Sequence, residues 1–274
     1  MITVVARRVL LDALEALEAQ RDAITIVGAQ AVHLRTAGSE GLTTPSFTSD
    51  ADLSIDPDVL DEEPLLEQSM IAAGFAQGPD PGHWHRPEKI GSRVEEIVVD
   101  LMVADTFSGP GSRRSGVIPP HSRHATRRTP GLEAAAVDDD VLPVPNLEPV
   151  QDRRVIEARV AGVAALLIAK CHKLGERFRA PDQRRLVAKD AGDVLRLMFA
   201  TDVGPIRQRL AVLLADPRSE ASTGQGLAYL EELFGAPGRH GVVMAVDALR
   251  DVDADQIRSL APVYTTALLG AAAP

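Results

Sequence analysis

The segment that most constrains the fold of this chain runs from residue 24 to residue 38. The apolar run ITIV at 24–27 is typical of a short buried strand, and Gly28 follows it immediately. The residues after this glycine, AQAVHLRTAG, can continue as a helix that ends near Gly38. The sequence therefore predicts a strand, a glycine turn and a helix in direct succession, which is a unit of α/β proteins.

Other segments extend this pattern. SDADLSID at 49–56 alternates polar and apolar residues as a half-buried strand does, and VEEIVVDLMV at 94–103 predicts another strand. Residues 4–20 and 59–74 fit helices, whereas 104–153 is predicted to be mostly loop. We therefore expect a small mixed sheet with helices around it.

Helical periodicity dominates the sequence from about residue 155 onward, with Gly and Pro at the breaks between helices. The fold class expected is α/β (α+β), with a small mixed sheet followed by a helical C-terminal region. The predicted boundary divides the chain into a domain at 1–150 and a helical domain at 151–274.

The composition argues against several functional classes. The net charge of -10 disfavours a protein that coats nucleic acid non-specifically, because such binding needs an excess of Lys and Arg. The single cysteine, Cys171, leaves no internal disulfide and favours a reducing setting. No apolar stretch approaches the roughly 18–20 residues that span a bilayer. We therefore expect a cytoplasmic protein with no membrane partner.

Three aspartates are the candidate reactive groups. Asp50 and Asp52 are two residues apart on a predicted strand and share one face, where paired carboxylates can hold hard cations. Asp100 lies on a second predicted strand and completes a three-carboxylate site if the two strands pair. In such a site one ion holds a nucleotide triphosphate and another activates an attacking hydroxyl. The alternative for an Asp-x-Asp pattern alone is a solvated strand face.

The order of these motifs resembles a known superfamily. VGAQAVHL, TSDADLSID and VVDLMVAD are similar, in turn, to the glycine, Asp-x-Asp and third-carboxylate motifs of the polymerase-beta-like nucleotidyltransferases. LLIAKCHKLGER followed by RRLVAKDAGDVLRL resembles the helical motifs of AbiEii-type nucleotidyltransferase toxins, in which a lysine helix precedes a Lys-Asp-x-x-Asp helix. The resemblance covers roughly residues 20–200.

This resemblance implies transfer of a nucleoside monophosphate from an NTP to an acceptor, with release of pyrophosphate. Asp50 and Asp52 would bind two Mg²⁺ ions, and Asp100 would ligate the second ion and help to deprotonate the acceptor hydroxyl. Gly28 and the backbone N–H of Ala29 would hold phosphate at the start of a helix. Ala29 stands where the superfamily has Gly or Ser, so a hydroxyl is absent here. The helical domain would close the nucleotide cleft.

The lysine helix supplies further candidates. Lys170 and Lys173 are three residues apart on one predicted helix face and could bind the β- and γ-phosphates, although a solvated helix face is the alternative. Asp190, on the next predicted helix, would orient a lysine or contact the nucleotide. Asp193 has the same spacing and could equally be an ion-pair or capping residue, so we favour Asp190.

The segment between Thr106 and Leu132 is basic, because it contains five arginines and no Asp or Glu. Arg123, Arg127 and Arg128 are candidates to bind the phosphates of an RNA acceptor or of the triphosphate. The alternative is a surface loop that pairs with the acidic groups of the protein itself.

If the resemblance extends to biology, the chain is the toxin of a toxin–antitoxin pair. It would act on tRNA or another cellular acceptor and would have a cognate antitoxin protein as a partner. Two alternatives stay open. One is a small-molecule, antibiotic-type nucleotidyltransferase with the same core, and the other is a non-catalytic nucleotide-binding protein of the same fold.

Overall fold

The computed structural model describes residues 1–38, 48–110, 114–181 and 186–270. These residues form two compact units. The first contains the described residues of 1–31, 47–129 and 139–161, and the second contains the described residues of 32–46, 130–138 and 162 onward. Short segments therefore alternate between the units, and the division into domains at 1–150 and 151–274 stays a prediction.

The first unit is built on a mixed sheet that has eight strands in the described residues. The strands are β1 (Ile24–Val27), β2 (Asp50–Ile55), β3 (Ala76–Gln77), β4 (His83–Ile90), β5 (Arg93–Ala104), β6 (Arg127–Thr129), β7 (Asp139–Pro145) and β8 (Val155–Ala161). Their order is β3-β4-β5-β2-β1-β8-β7, and β6 pairs with β5. Strands β2 and β5 are parallel, whereas β1 is antiparallel to β2 and β4 is antiparallel to β5.

Helix α1 (Ile2–Ala16) packs against one face of this sheet. Its Asp12 lies 2.9 Å from the guanidinium of Arg86 on β4. Trp84 shares this face of β4, because side chains two residues apart on a strand point the same way, and it is fully buried. The opposite face of β2 and β5 carries the candidate aspartates.

Helix α2 (Gly28–Thr36) begins directly after β1, and α3 (Leu66–Ala72) precedes β3.

Helices make up most of the C-terminal region. The remaining helices are α4 (Val163–Arg179), α5 (Ala188–Ala200), α6 (Val203–Ala215), α7 (Glu220–Phe234), α8 (His240–Ala248) and α9 (Ala254–Leu269). Helices α4 and α7 pack closely because glycines stand at their contact: a Cβ at Gly175 would overlap the ring of Tyr229. No helix in the described residues is both long and apolar enough to cross a membrane.

The predicted mixed sheet and helical C-terminal region are confirmed. Two predicted helical stretches are shorter than expected. The helix expected at 59–74 is confined to Leu66–Ala72, because Pro64 restricts the backbone just before it. The helical region expected from 155 begins only at Val163, because Val155–Ala161 pairs with β1 and β7 as a strand.

Candidate active site

The register of two parallel strands brings Asp52 and Asp100 side by side. In the pairing of β2 with β5, Asp52 is the register partner of Asp100, and Asp50 is that of Val98. Neighbouring strands lie about 4.8 Å apart, and paired residues point to the same face of a sheet. Asp50, Asp52 and Asp100 therefore lie on one face of the sheet. This is the strand pairing that a three-carboxylate site requires.

Burial of the alternate residues fixes this orientation. Leu53 and Leu101, which follow Asp52 and Asp100, are fully buried on the opposite face. A shift of either strand by one residue would expose these leucines and bury the carboxylates, so the apolar core determines which way the acids point.

Gly28 lies directly against the carboxylate of Asp52. It has a φ of 66°, in the left-handed region, and a Cβ at this position would overlap the carboxyl group of Asp52. Val27, the last residue of β1, is the register partner of Asp52, so the antiparallel pairing of β1 with β2 brings the glycine there. The structure thus joins Gly28, Asp52 and the first turn of α2, where Ala29 is buried.

The side chains of Arg127 and His83 lie against the carboxylate of Asp100. Its Oδ2 accepts a hydrogen bond of 2.9 Å from Nη2 of Arg127, and Nε2 of His83 lies 3.2 Å from its Oδ1. His83 is the register partner of Asp100 on β4. The sequence does not connect His83 to the aspartates, because its pattern does not predict β4 as a strand.

The carboxylates differ in their surroundings. Asp50 is exposed and accepts a hydrogen bond from Oγ of Ser49 at 2.5 Å, whereas Asp52 and Asp100 are half-buried. Among the side chains of the described ranges, no group of three or more His, Cys, Asp or Glu is arranged to hold a metal ion. The two Mg²⁺ ions expected from the resemblance stay a prediction.

The basic segment is only partly free of contacts with its own chain. Arg128 donates hydrogen bonds to the carbonyls of Ser108 and Gly109, and it lies 3.3 Å from a carboxylate oxygen of Asp105. Arg127 binds Asp100, whereas Arg123 is exposed. Binding of an RNA acceptor by these arginines stays a prediction, and the contacts of Arg127 and Arg128 are those of the alternative, in which the segment pairs with the protein's own acids.

The predicted lysine and aspartate candidates form a compact ionic cluster within the second unit. Nζ of Lys170 on α4 lies 3.0 Å from Oδ1 of Asp190 and 2.7 Å from Oδ2 of Asp193, both on α5. Lys173 and Arg177 bind Asp190 at 2.9 and 3.1 Å. Lys170, Asp190 and Asp193 are buried, and Lys173 is exposed on the rim. Roles for Lys170, Lys173 and Asp190 in nucleotide binding stay predictions.

Electrostatics inside this cluster favour the charged forms. Burial by itself disfavours the ammonium of Lys170, but Asp193 and Asp190 outweigh it and hold the pKa of Lys170 above its ordinary value. Burial likewise disfavours the carboxylate of Asp190, but Lys170 and Lys173 outweigh it and hold the pKa of Asp190 below its ordinary value. The cluster is therefore a largely buried network of ion pairs that joins α4 to α5.

No protein-family model matches the chain, and no curated protein is similar to it. Among solved structures, the chain is similar to one described as an antigenic nucleotidyltransferase-like protein from Paracoccidioides brasiliensis, with 16% identity, a TM-score of 0.40, and coverage of 82% of this chain and 92% of that chain.

Proposed function

We propose that this protein is a metal-dependent nucleotidyltransferase that moves a nucleoside monophosphate from an NTP to an acceptor. The observation that carries the proposal is the joining of Gly28, Asp52 and Asp100 across β1, β2 and β5, with Asp50 on the same face. The motifs that resemble the polymerase-beta-like nucleotidyltransferases are these same residues, in the same order. Geometry and sequence resemblance therefore support one site.

The residues at Asp50 and Asp52 fit a divalent cation. Both supply carboxylate oxygens from one strand face, which is the ligand type that Mg²⁺ prefers. A Mg²⁺ ion bound there would neutralise the triphosphate and polarise the phosphate under attack. The backbone N–H groups in the first turn of α2 can donate hydrogen bonds to phosphate oxygens. Because Gly28 has no side chain, this turn can lie close to the carboxylate of Asp52.

A test of this site is calorimetric titration of each of the four NTPs, in Mg²⁺ and in EDTA. Because adjacent carboxylates repel a triphosphate unless a cation intervenes, we expect affinity for at least one NTP to be about tenfold or more higher in Mg²⁺. The gain should be lost in Asp52→Asn and kept in Asp58→Asn, an exposed aspartate just after β2. Equal affinity with and without Mg²⁺ would refute the metal-bridged site.

The biological role proposed is that of a toxin of the AbiEii type, acting on tRNA or another cellular acceptor and neutralised by an antitoxin. The support is the resemblance of the α4 and α5 sequences to the helical motifs of that family. Growth arrest on induced expression, relieved by Asp52→Asn, is the expected outcome. Normal growth together with nucleotidyl transfer to a small molecule would favour a small-molecule acceptor. Normal growth without any transfer would favour a non-catalytic binding protein.

A further inference from the structure

We propose that the guanidinium of Arg127, and not a second metal ion, is the resident cation at Asp100, so that the site holds one divalent ion on Asp50 and Asp52. This inference rests on the proposed function, because it assumes that the aspartate pair binds a metal. It departs from the two-ion arrangement that the sequence resemblance implies. In this arrangement Asp50 and Asp52 bind the divalent ion, and Asp100 binds the guanidinium of Arg127.

The first step is the occupancy of Asp100. Nη2 of Arg127 donates to Oδ2 at 2.9 Å, which is the length of a charge-assisted hydrogen bond. The other oxygen, Oδ1, is buried and accepts no hydrogen bond from the described residues, although Nε2 of His83 lies 3.2 Å from it. Both oxygens of Asp100 therefore face nitrogen groups of the chain itself. By contrast, Asp50 is exposed.

The second step is the fixed position of Arg127. Its backbone belongs to β6, in register with Met102 of β5, two residues beyond Asp100. Nη2 of the guanidinium also lies 3.1 Å from Sδ of Met102, and Nε is buried. A strand-anchored, half-buried arginine keeps its head group at the carboxylate without a large loss of side-chain entropy. The pairing of β5 with β6 thus builds the cation into the site.

The third step is the repulsion that a second ion would meet. A divalent cation ligated by Asp100 would share this carboxylate with the guanidinium of Arg127. Two cations bound to one carboxylate lie close together, and they repel each other strongly in a partly desolvated site. Asp100 would bind metal only after Arg127 had left it. Arg127 is therefore a positioning residue, which holds a permanent positive charge at Asp100, the register partner of Asp52.

The test is a titration of the purified full chain with Mn²⁺ alone, in which the loss of the free-ion electron paramagnetic resonance signal counts the bound ions. We expect wild type to bind one ion, Asp52→Asn to bind none, and Arg127→Met to bind two, because Asp100 is then released. Arg128→Met removes the same charge from the same strand without touching Asp100, and it should bind one ion.

A further variant keeps the test decisive if Arg127→Met does not fold. Asp100→Asn should still bind one Mn²⁺, because Asp100 is not a ligand of the first ion. Two ions in wild type, falling to one in Asp100→Asn, would overturn the inference while leaving the proposed function in place. One ion in a folded Arg127→Met would also overturn it. No ion in wild type would overturn the inference and the proposed metal-dependent function together.

Discussion

Gly28 shows how one residue can serve both the backbone and the carboxylate site. A side chain there faces two separate costs, a φ of 66° and overlap with the carboxyl group of Asp52. Gly74 is a matched control, since its φ is 83° and the space for a Cβ is open. The difference between the two positions therefore measures the contact with Asp52.

We expect Gly74→Ala to lower the free energy of unfolding by about 1 kcal/mol, the usual cost of a left-handed φ for a residue with a Cβ. Gly28→Ala should cost at least about 2 kcal/mol, because it adds overpacking against Asp52. Urea denaturation measures both. In an Asp52→Ala background the cost at Gly28 should fall, because the carboxyl group is removed, but it should stay above that at Gly74, because the Cβ of residue 52 would still lie 2.8 Å from the added Cβ. Equal costs in the wild-type background would show that Asp52 does not lie against the glycine.

Loss of Lys170 should destabilise the second unit. The lysine is buried between Asp190 and Asp193, and removing one partner of a buried ion pair leaves uncompensated charge. Lys170→Met should lower the free energy of unfolding by about 3–5 kcal/mol. Lys173→Met, on an exposed side chain of the same helix, should cost no more than about 1 kcal/mol. Chemical denaturation that gave equal costs for the two variants would contradict this description.

The link between α4 and α5 should respond to acid. The pKa of Asp190 is lower in the folded state than in the unfolded chain, so its contribution to stability is fully present above its ordinary pKa of about 3.9 and is lost as pH falls through the lower folded value. The difference in free energy of unfolding between wild type and Asp190→Asn should therefore be constant from about pH 5 to pH 9 and shrink below about pH 4. A difference that grows with acidity would contradict the ion-pair account.

Local periodicity predicted the elements that carry the candidate site. The apolar run of β1 and the alternation of β2 and β5 have the signatures of strands, and the glycine turn at Gly28 has that of a strand-to-helix junction. Strand β4, HWHRPEKI, escaped prediction because it carries polar residues on both faces. Without β4, the position of His83 beside Asp100 could not be foreseen.

Long-range ion pairs were the other part that the sequence did not predict. The segment between Thr106 and Leu132 is basic in sequence, but which carboxylates its arginines bind depends on the pairing of β6 with β5. Arg7 on α1 is a further example. It is fully buried, binds Oε1 of Gln30 and the carbonyl of Pro145, and burial lowers its pKa to about 10. Amphipathic spacing alone does not predict a buried arginine.

For the molecule as a whole, the distribution of charge matters more than its sum. The net charge of -10 would repel a polyanionic acceptor at long range. Arg127 and Arg128 are occupied by Asp100 and Asp105, and Arg123 is exposed. An acceptor that carries phosphates would have to approach through local positive groups, and the divalent cation that we propose on Asp50 and Asp52 would supply further positive charge.

Nucleotidyl transfer at the site of Gly28, Asp52 and Asp100 can be tested by following the position of a radiolabel. The protein is incubated with Mg²⁺ and total tRNA, and with each NTP carrying phosphorus-32 at either the α- or the γ-phosphate. We expect label to enter the RNA from the α-position only, with release of pyrophosphate, and to be lost with Asp52→Asn. Label transferred from the γ-position, or α-label transfer that survives Asp52→Asn, would contradict the account.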